Sequence, residues 1–177
     1  MILTGPEIAR ERDRRRLVLD PFDPVQVQPN SYNLALGPTL AYYTGTVLDT
    51  RRENPYTVVA IPGEGFVLEP DRIYLGSSVE ILGSDHLVPV IRSRSGAARL
   101  GLFVHVTADL IDIGSIGQST FQLHAVQPVR VHAGDRLAQV TFWRPQGEIT
   151  LYEGKYQGSR GPQPSQIHRD SPQAVAR

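Results

Sequence analysis

The chain contains no cysteine. That removes any disulfide framework and fits a reducing compartment. It also removes one chemistry: zinc-dependent nucleobase deaminases need two or three Cys ligands and an H-x-E element, and neither is present. The five histidines show no helical i, i+4 metal-binding pair, so no zinc is expected. Neither a G-x-x-x-x-G-K-[ST] phosphate loop nor a G-x-G-x-x-G fingerprint occurs. Eighteen basic side chains cancel eighteen acidic ones, so no global field draws in nucleic acid or an anionic membrane. No apolar run approaches the roughly 18–20 residues that span a bilayer. The opening Met1-Ile2-Leu3-Thr4-Gly5-Pro6-Glu7 lacks the charged-then-apolar order of a signal peptide. A cytoplasmic protein without nucleic-acid or membrane partners is expected.

What is present fits one domain over residues 1–177, with 40% hydrophobic and 20% charged residues. Thr4 with Glu7 three residues later is a capping-box pattern, with Pro6 in the first turn. A helix is expected through Ile8 to about Arg15, its arginines interleaved with Glu11 and Asp13 on a solvated face. After Pro21, short runs rich in Val, Ile, Leu, Tyr and Thr alternate with Pro, Gly, Asp and Asn. The runs are Tyr32–Leu36, Thr39–Tyr43, Phe66–Leu68, Ile73–Ser77, Leu87–Ile91, Leu102–Val106, Ser119–Ala125, Val129–Val131 and Leu137–Trp143. Such spacing predicts a mainly β fold, a barrel or jelly roll rather than βαβ units. Gly96–Leu100 reads as a single helical turn, and Val131–Gln139 as a tight turn entering a buried strand. Residues from about 157 to 177 are rich in Gly, Pro and Gln and read as a flexible C-terminal tail. A frayed end is the usual meaning of such a composition; a tail that orders over a ligand is the alternative.

The chemistry concentrates between Arg92 and Gln122. Three arginines (Arg92, Arg94, Arg99) and two serines (Ser93, Ser95) surround Gly96, and guanidinium and hydroxyl donors match the oxygens of a polyphosphate. Asp112 then stands in an apolar setting before Gly114, placed to fix a sugar hydroxyl or orient a water. Gln122 follows, and the identity of that residue decides which reaction remains possible.

These pieces, in order and spacing, resemble the dCTP deaminase branch of the dCTP deaminase/dUTPase superfamily over nearly the whole chain. They are Asp20–Pro24 with Val27–Ser31, Arg94–Leu102, His105–Ala108, Ile111-Asp112 with Gly114 and Gly117, and Lys155–Gln157 with Arg160–Pro162. The resemblance implies a distorted jelly roll of the dUTPase-like type, assembled as a homotrimer with active sites between subunits. It also implies a C-terminal tail that helps close each site. It assigns the triphosphate to Arg94, Ser95, Gly96 and Arg99, the deoxyribose to Asp112, and the base to Thr120, Phe121 and Gln122. Tyr152 and Lys155 are implied near sugar and phosphates, with Ala108 and Ser159 completing the nucleotide site. The expected ligand is a dCTP-, dUTP- or dTTP-type nucleotide with Mg²⁺ carried on its phosphates.

Departures from the pattern matter as much. The family's deaminases carry a glutamate where this chain has Gln122. Deamination at C4 of cytosine needs a proton taken from water and given to the leaving amine, which a carboxylate does and an amide cannot. His124, two residues along the strand, is a candidate substitute. Ser159 stands where a glutamine is usual, Tyr32-Asn33 replaces Ile-Asp, and Ser115-Ile116 replaces a bulky–small pair. Arg94-Ser95-Gly96-Ala97-Ala98 is closer to the Arg-Ser-Gly-Leu-Ala motif of trimeric dUTPases, and phosphoryl transfer rests on positioning and charge rather than on an acid at 122. Asp112, and Gln122 at the position of the family's glutamate, are the candidate catalytic residues. Hydrolysis of dUTP to dUMP and pyrophosphate is placed ahead of dCTP deamination, with a catalytically silent nucleotide-binding paralogue third. Outside nucleotide binding altogether, the Arg/Ser loop reads as a source of salt bridges between subunits.

Overall fold

The computed structural model describes residues 1–105 and 108–170. The chain opens with helix α1 (Gly5–Asp13), followed by strand β1 (Val18–Asp20) and a 3₁₀ turn at Pro24–Gln26. Strands β2 (Tyr32–Leu34), β3 (Leu36–Tyr43), β4 (Tyr56–Ala60), β5 (Phe66–Leu68), β6 (Tyr74–Gly83) and β7 (Val88–Ser93) come next. A short helix α2 (Ser95–Arg99) leads into β8 (Leu102–Phe103), β9 (Gly117–Ala125), β10 (Val129–Val131) and β11 (Ala138–Trp143). A last 3₁₀ turn covers Ile167–Asp170.

The main sheet runs β4-β3-β6-β9-β8, with β1 pairing the far end of β6. A second sheet has the order β2-β11-β7, and β5 pairs β10. Every strand pair described is antiparallel. This is the mainly β, jelly-roll architecture read from the spacing of the apolar runs. Side chains from the sheets share one core: Tyr32, Leu34, Leu36, Leu40, Leu68, Ile91, Phe121, Leu123, Val140 and Phe142 are all fully buried. Ile8 joins them from α1, so the helix packs against the same core.

Several elements differ from the sequence reading. The Thr4 side chain makes no capping hydrogen bond. Glu7 turns instead to guanidinium groups, accepting from Arg10 Nε at 2.8 Å and Arg144 Nη2 at 3.3 Å; charge-assisted pairs outcompete the neutral amide. Glu11 is not on a solvated face. It is 1% exposed and lies among Arg14, Arg16 and Arg144, which supply the pairing a buried carboxylate requires. Helix α1 ends at Asp13 rather than near Arg15. The expected run Tyr32–Leu36 divides into β2 and the start of β3, and β1 and β4 are additional strands. Strand β6 continues past Ser77 to Gly83 because the polar residues there are satisfied from within. Ser78 Oγ donates to the Glu80 carbonyl at 2.6 Å and accepts from Ser119 N at 2.9 Å. Glu80 accepts from Ala35 N at 3.1 Å. Strand β8 stops at Phe103; the expected end at Val106 lies outside the described residues.

The tail departs most from its composition. Residues 157–163 bond to β9 and the turn before it, Ser165 reaches Tyr43 of β3 and Gln166 reaches Tyr156, while 171–177 lie outside the described residues. Gln157 brackets the turn before β9, accepting from Ile116 N at 2.8 Å and donating to Gly114 O at 2.7 Å. Gly161 N donates to Gln118 Oε1 at 2.7 Å, Gln163 N to Thr120 Oγ1 at 3.0 Å, and Ser165 N to the Tyr43 hydroxyl at 2.7 Å. Gly117 permits this approach: a Cβ there would stand 2.8 Å from Ser159 N. Gly114, with φ of +90°, turns the chain under Leu151, whose Cβ an added side chain would meet at 2.9 Å. No helix among the described residues is long and apolar enough to cross a membrane.

Candidate functional site

Strand β9 is the floor of the candidate site. Its alternation sends Phe121, Leu123 and Ala125 into the core and leaves Gln118, Thr120, Gln122 and His124 half-buried on the other face. A cavity of about 650 Å³ opens above that face. Its floor is Gln118, Ser119, Thr120 and Gln122, and its far wall comes from the tail through Tyr156, Ser159, Gln163, Ser165 and Ile167. Ile73, Leu75, His105, Ala108 and Ile111 close the sides. Such a size suits a ring-sized ligand with room to spare. No Asp, Glu, Lys or Arg is among the described lining residues. The cavity therefore suits an uncharged, flat, amide-bearing group, and any polyphosphate must find its cations elsewhere.

Gln122 sits mid-strand, paired across the ladder with Leu75. Its Nε2 donates to the Thr120 carbonyl at 3.1 Å, which leaves Oε1 and one amide hydrogen unengaged by that bond. His124 is placed on the same face, as strand alternation requires, but does not line the cavity. It stacks on Phe103 with ring centroids 6.2 Å apart. The imidazole that does reach the cavity is His105, held edge-on to Phe121 at 6.0 Å. Burial lowers its pKa to about 4, against the opposing pull of the Asp109 carboxylate, so it is neutral at neutral pH.

The sequence-derived site residues divide into groups. Ala108, Thr120, Gln122 and Ser159 come together around the cavity. Phe121 is fully buried beneath it and can face a ligand only through its backbone. Asp112 and Tyr152 line an adjoining hollow of about 420 Å³ with Glu148 and Leu151. Ile111 belongs to both walls. Ser159 is tied into the tail, its hydroxyl donating to Tyr156 O at 2.6 Å and its carbonyl accepting from Gln118 N at 2.9 Å. Lys155 pairs with Asp170 and lies over the Tyr156 ring at 5.8 Å.

Arg94, Ser95, Gly96 and Arg99 lie on α2 and its cap, away from both hollows of the same chain. Arg94 is half anchored, its Nη1 donating to Arg136 O at 3.1 Å, while Ser95, Gly96 and Arg99 are exposed. His105, Tyr43, Gln118 and Gln163 were not singled out from sequence as site residues. Only His105 carried a signal there, as part of the His105–Ala108 motif, whose Val106 and Thr107 lie outside the described residues.

Residues 2–145 match the family model described as dCTP deaminase-like. The chain belongs to the dCTP deaminase-like family. This family member is 40% identical, over 171 residues, to the "dCTP deaminase, dUMP-forming" of Clostridium beijerinckii, covering 96% of this chain and 98% of that one. It is 41% identical over 171 residues to the protein of the same description from Hathewaya histolytica, covering 96% and 99%. Among solved structures, the 2'-deoxycytidine 5'-triphosphate deaminase from Agrobacterium tumefaciens superposes with a TM-score of 0.64 at 23% identity. That match covers 80% of this chain and 47% of the other. The dCTP deaminase-like chain thus spans about half the length of that structure, and the likeness bears on the fold.

Proposed function

We propose that this dCTP deaminase-like protein is a hydrolase of pyrimidine deoxynucleoside triphosphates, with release of pyrophosphate from dUTP favoured over deamination of dCTP. The observation that carries this reading is Gln122 on the floor of a cavity whose described lining holds no carboxylate. Forming dUMP from dCTP takes two steps, exchange of the C4 amine for oxygen and cleavage of the α–β phosphoanhydride. The first needs a proton shuttle at the base. Gln122 offers none, and His105, neutral and buried, is a poor acid at neutral pH. The second needs the phosphates held and a water aimed at phosphorus. Arg94, Ser95 and Arg99 supply donors of the right kind, and Asp112 is a carboxylate in the hollow next to the cavity.

The uncharged cavity and the cationic loop lie apart in one chain, and we propose that they meet across subunits of a homotrimer. Leu100, Phe103 and Val126 support this reading. All three are exposed, and they sit beside one another through the Phe103–His124 pairing and the Val126 N to Gly101 O bond. They make an apolar border next to α2 suited to a neighbouring copy. Magnesium is proposed to arrive as part of the ligand, carried on the phosphates that the donors of α2 would hold. When bound there, the ion would neutralise phosphate charge during cleavage.

Relatives at about 40% identity over nearly their whole length are described as "dCTP deaminase, dUMP-forming", which favours, as the second reading, a two-step conversion of dCTP itself. Incubation with Mg²⁺ and either dCTP or dUTP, following ammonia and pyrophosphate together, separates the two. Pyrophosphate from dUTP without ammonia from dCTP is the expected result. Ammonia from dCTP at an ordinary enzymatic rate would overturn the preference, and neither product would overturn the hydrolase reading.

A further inference from the structure

We infer that Gln157 is a positioning residue for Asp112: its side-chain amide clamps the turn that carries the carboxylate. The inference deepens the proposed function and rests on it. Asp112 is exposed, so its carboxyl points where the main chain beneath it directs. That main chain runs into Gly114, whose φ is +90°, and on to Gly117, and glycine keeps one conformation only when its surroundings impose it. Three main-chain bonds begin the task. Ser115 N donates to Asp112 O at 3.1 Å, Gly114 N to Ser84 O at 2.8 Å and Tyr152 N to Ile113 O at 2.8 Å. Gln157 adds both ends of its amide, Nε2 donating to Gly114 O at 2.7 Å and Oε1 accepting from Ile116 N at 2.8 Å. Gly158 N donates to the Ile116 carbonyl at 3.0 Å, so two successive residues grip the same turn.

Gln157 is itself exposed, yet its donor and its acceptor both go to main-chain groups of a turn that has no strand or helix to satisfy them. The proposed task of Asp112 is to aim a water at phosphorus, and aim is sensitive to placement. A shift of about 1 Å, even one that starts away from the reacting atoms, can cost roughly a hundredfold in rate. The side chain that holds the Asp112 turn against such a shift is Gln157. The same segment supplies Tyr156 and Ser159 to the wall of the cavity. Seating of the ligand and aim of the water are thus set from one stretch of chain but through different residues. Ser159 O ties the tail to the floor by accepting from Gln118 N at 2.9 Å, while Gln157 holds the turn that leads out of the Asp112 hollow.

The test follows pyrophosphate release from dUTP and Mg²⁺ by the full chain, with binding of the cleavage-resistant α,β-imido-dUTP measured alongside by calorimetry. Gln157→Leu keeps the stem and removes both bonds, and because the residue is exposed the core is left intact. Its kcat should fall by about tenfold to a hundredfold, while KM and the affinity for α,β-imido-dUTP stay within about threefold. A residue that merely fastened the tail would weaken binding instead, through the Tyr156 and Ser159 wall. Gln157→Glu is the second variant, to be read whether or not Gln157→Leu folds. Its carboxylate can accept from Ile116 N but cannot donate to Gly114 O, whereas its protonated form does both. Its kcat relative to the unmodified protein should therefore climb as pH falls from about 8 to about 5. An unchanged kcat in folded Gln157→Leu, affinity lost in step with kcat, or a ratio for Gln157→Glu that is flat with pH overturns the inference while the hydrolase reading stands. No pyrophosphate from the unmodified protein overturns the hydrolase reading, and this inference falls with it.

Discussion

Replacing Gln122 by glutamate asks directly whether one amide separates this protein from a deaminase. Glutamate has nearly the same shape, so the Leu75 pairing and the cavity floor should persist. Two local consequences can be worked out. The Thr120 carbonyl loses its donor at 3.1 Å unless the new carboxyl is protonated, and the described cavity lining supplies no cation to favour the charged form. Both effects raise the carboxyl pKa towards the neutral range, where a group that must take and return a proton works best. The lost hydrogen bond should cost about 1 kcal/mol of stability, small enough for the fold to survive. General acid–base catalysis typically contributes about 10²–10⁴ in rate, so Gln122→Glu should raise ammonia release from dCTP by that factor over the unmodified protein. The assay is coupled ammonia detection with dCTP and Mg²⁺, backed by chromatography of the nucleotide products. The reasoning is falsified if the unmodified protein already deaminates dCTP at an ordinary rate. An inert Gln122→Glu variant that still binds dCTP would equally refute it, since the missing carboxylate would then not be what limits the reaction.

Other outcomes follow from the same geometry. Arg94→Ala and Arg99→Ala should each weaken triphosphate affinity by about 1–3 kcal/mol by calorimetry, and unchanged affinity in both would leave α2 with a structural role alone. Asp112→Asn should abolish pyrophosphate release from dUTP, because an amide cannot accept the proton of an attacking water; retained release would move that task elsewhere. Light scattering should give three times the chain mass, and a monomer would undo the composite site. His105, with a folded pKa depressed to about 4 against an unfolded value near 6.5, contributes stability that is complete above about pH 6.5. That contribution is lost as pH falls towards 4, because the unfolded state binds the extra proton. Its size is about 2 kcal/mol once partial exposure is discounted. His105→Phe should flatten the unfolding free energy across that window in urea titrations.

The fold was largely legible because antiparallel strands with a buried face announce themselves by short apolar runs between Pro, Gly and Asn. The strands that escaped are those whose sequences lack that mark. Val18–Asp20 is three residues long, and Tyr56–Ala60 has apolar residues on both faces. The second half of β6 carries Ser78 and Glu80 inside, satisfied by backbone groups. At the site, Gln122 was visible because a motif places it, and strand alternation correctly put His124 on its face. What alternation cannot supply is which neighbour each side chain meets. Phe103 takes His124 by stacking, while His105 arrives from the segment after β8. Glu7 likewise matched a capping box, but its partner Arg144 comes from beyond β11 and was beyond any local reading.

The way the tail is fastened bears on how this site can change. Between Gly161 and Gln166 it is held through its own main-chain N–H groups, which donate to Gln118, Thr120, Tyr43 and Tyr156. Main-chain anchoring is indifferent to which side chain each tail residue carries, provided it is not proline at a donating position. The part of the cavity wall at Gln163 and Ser165 therefore keeps its tie to the strands whatever side chain stands there, apart from the local bonds of Gln163 to Arg160 O and of Ile167 N to Ser165 Oγ. Substitutions there can resculpt what the cavity admits while the strands beneath and their buried interior stay as they are.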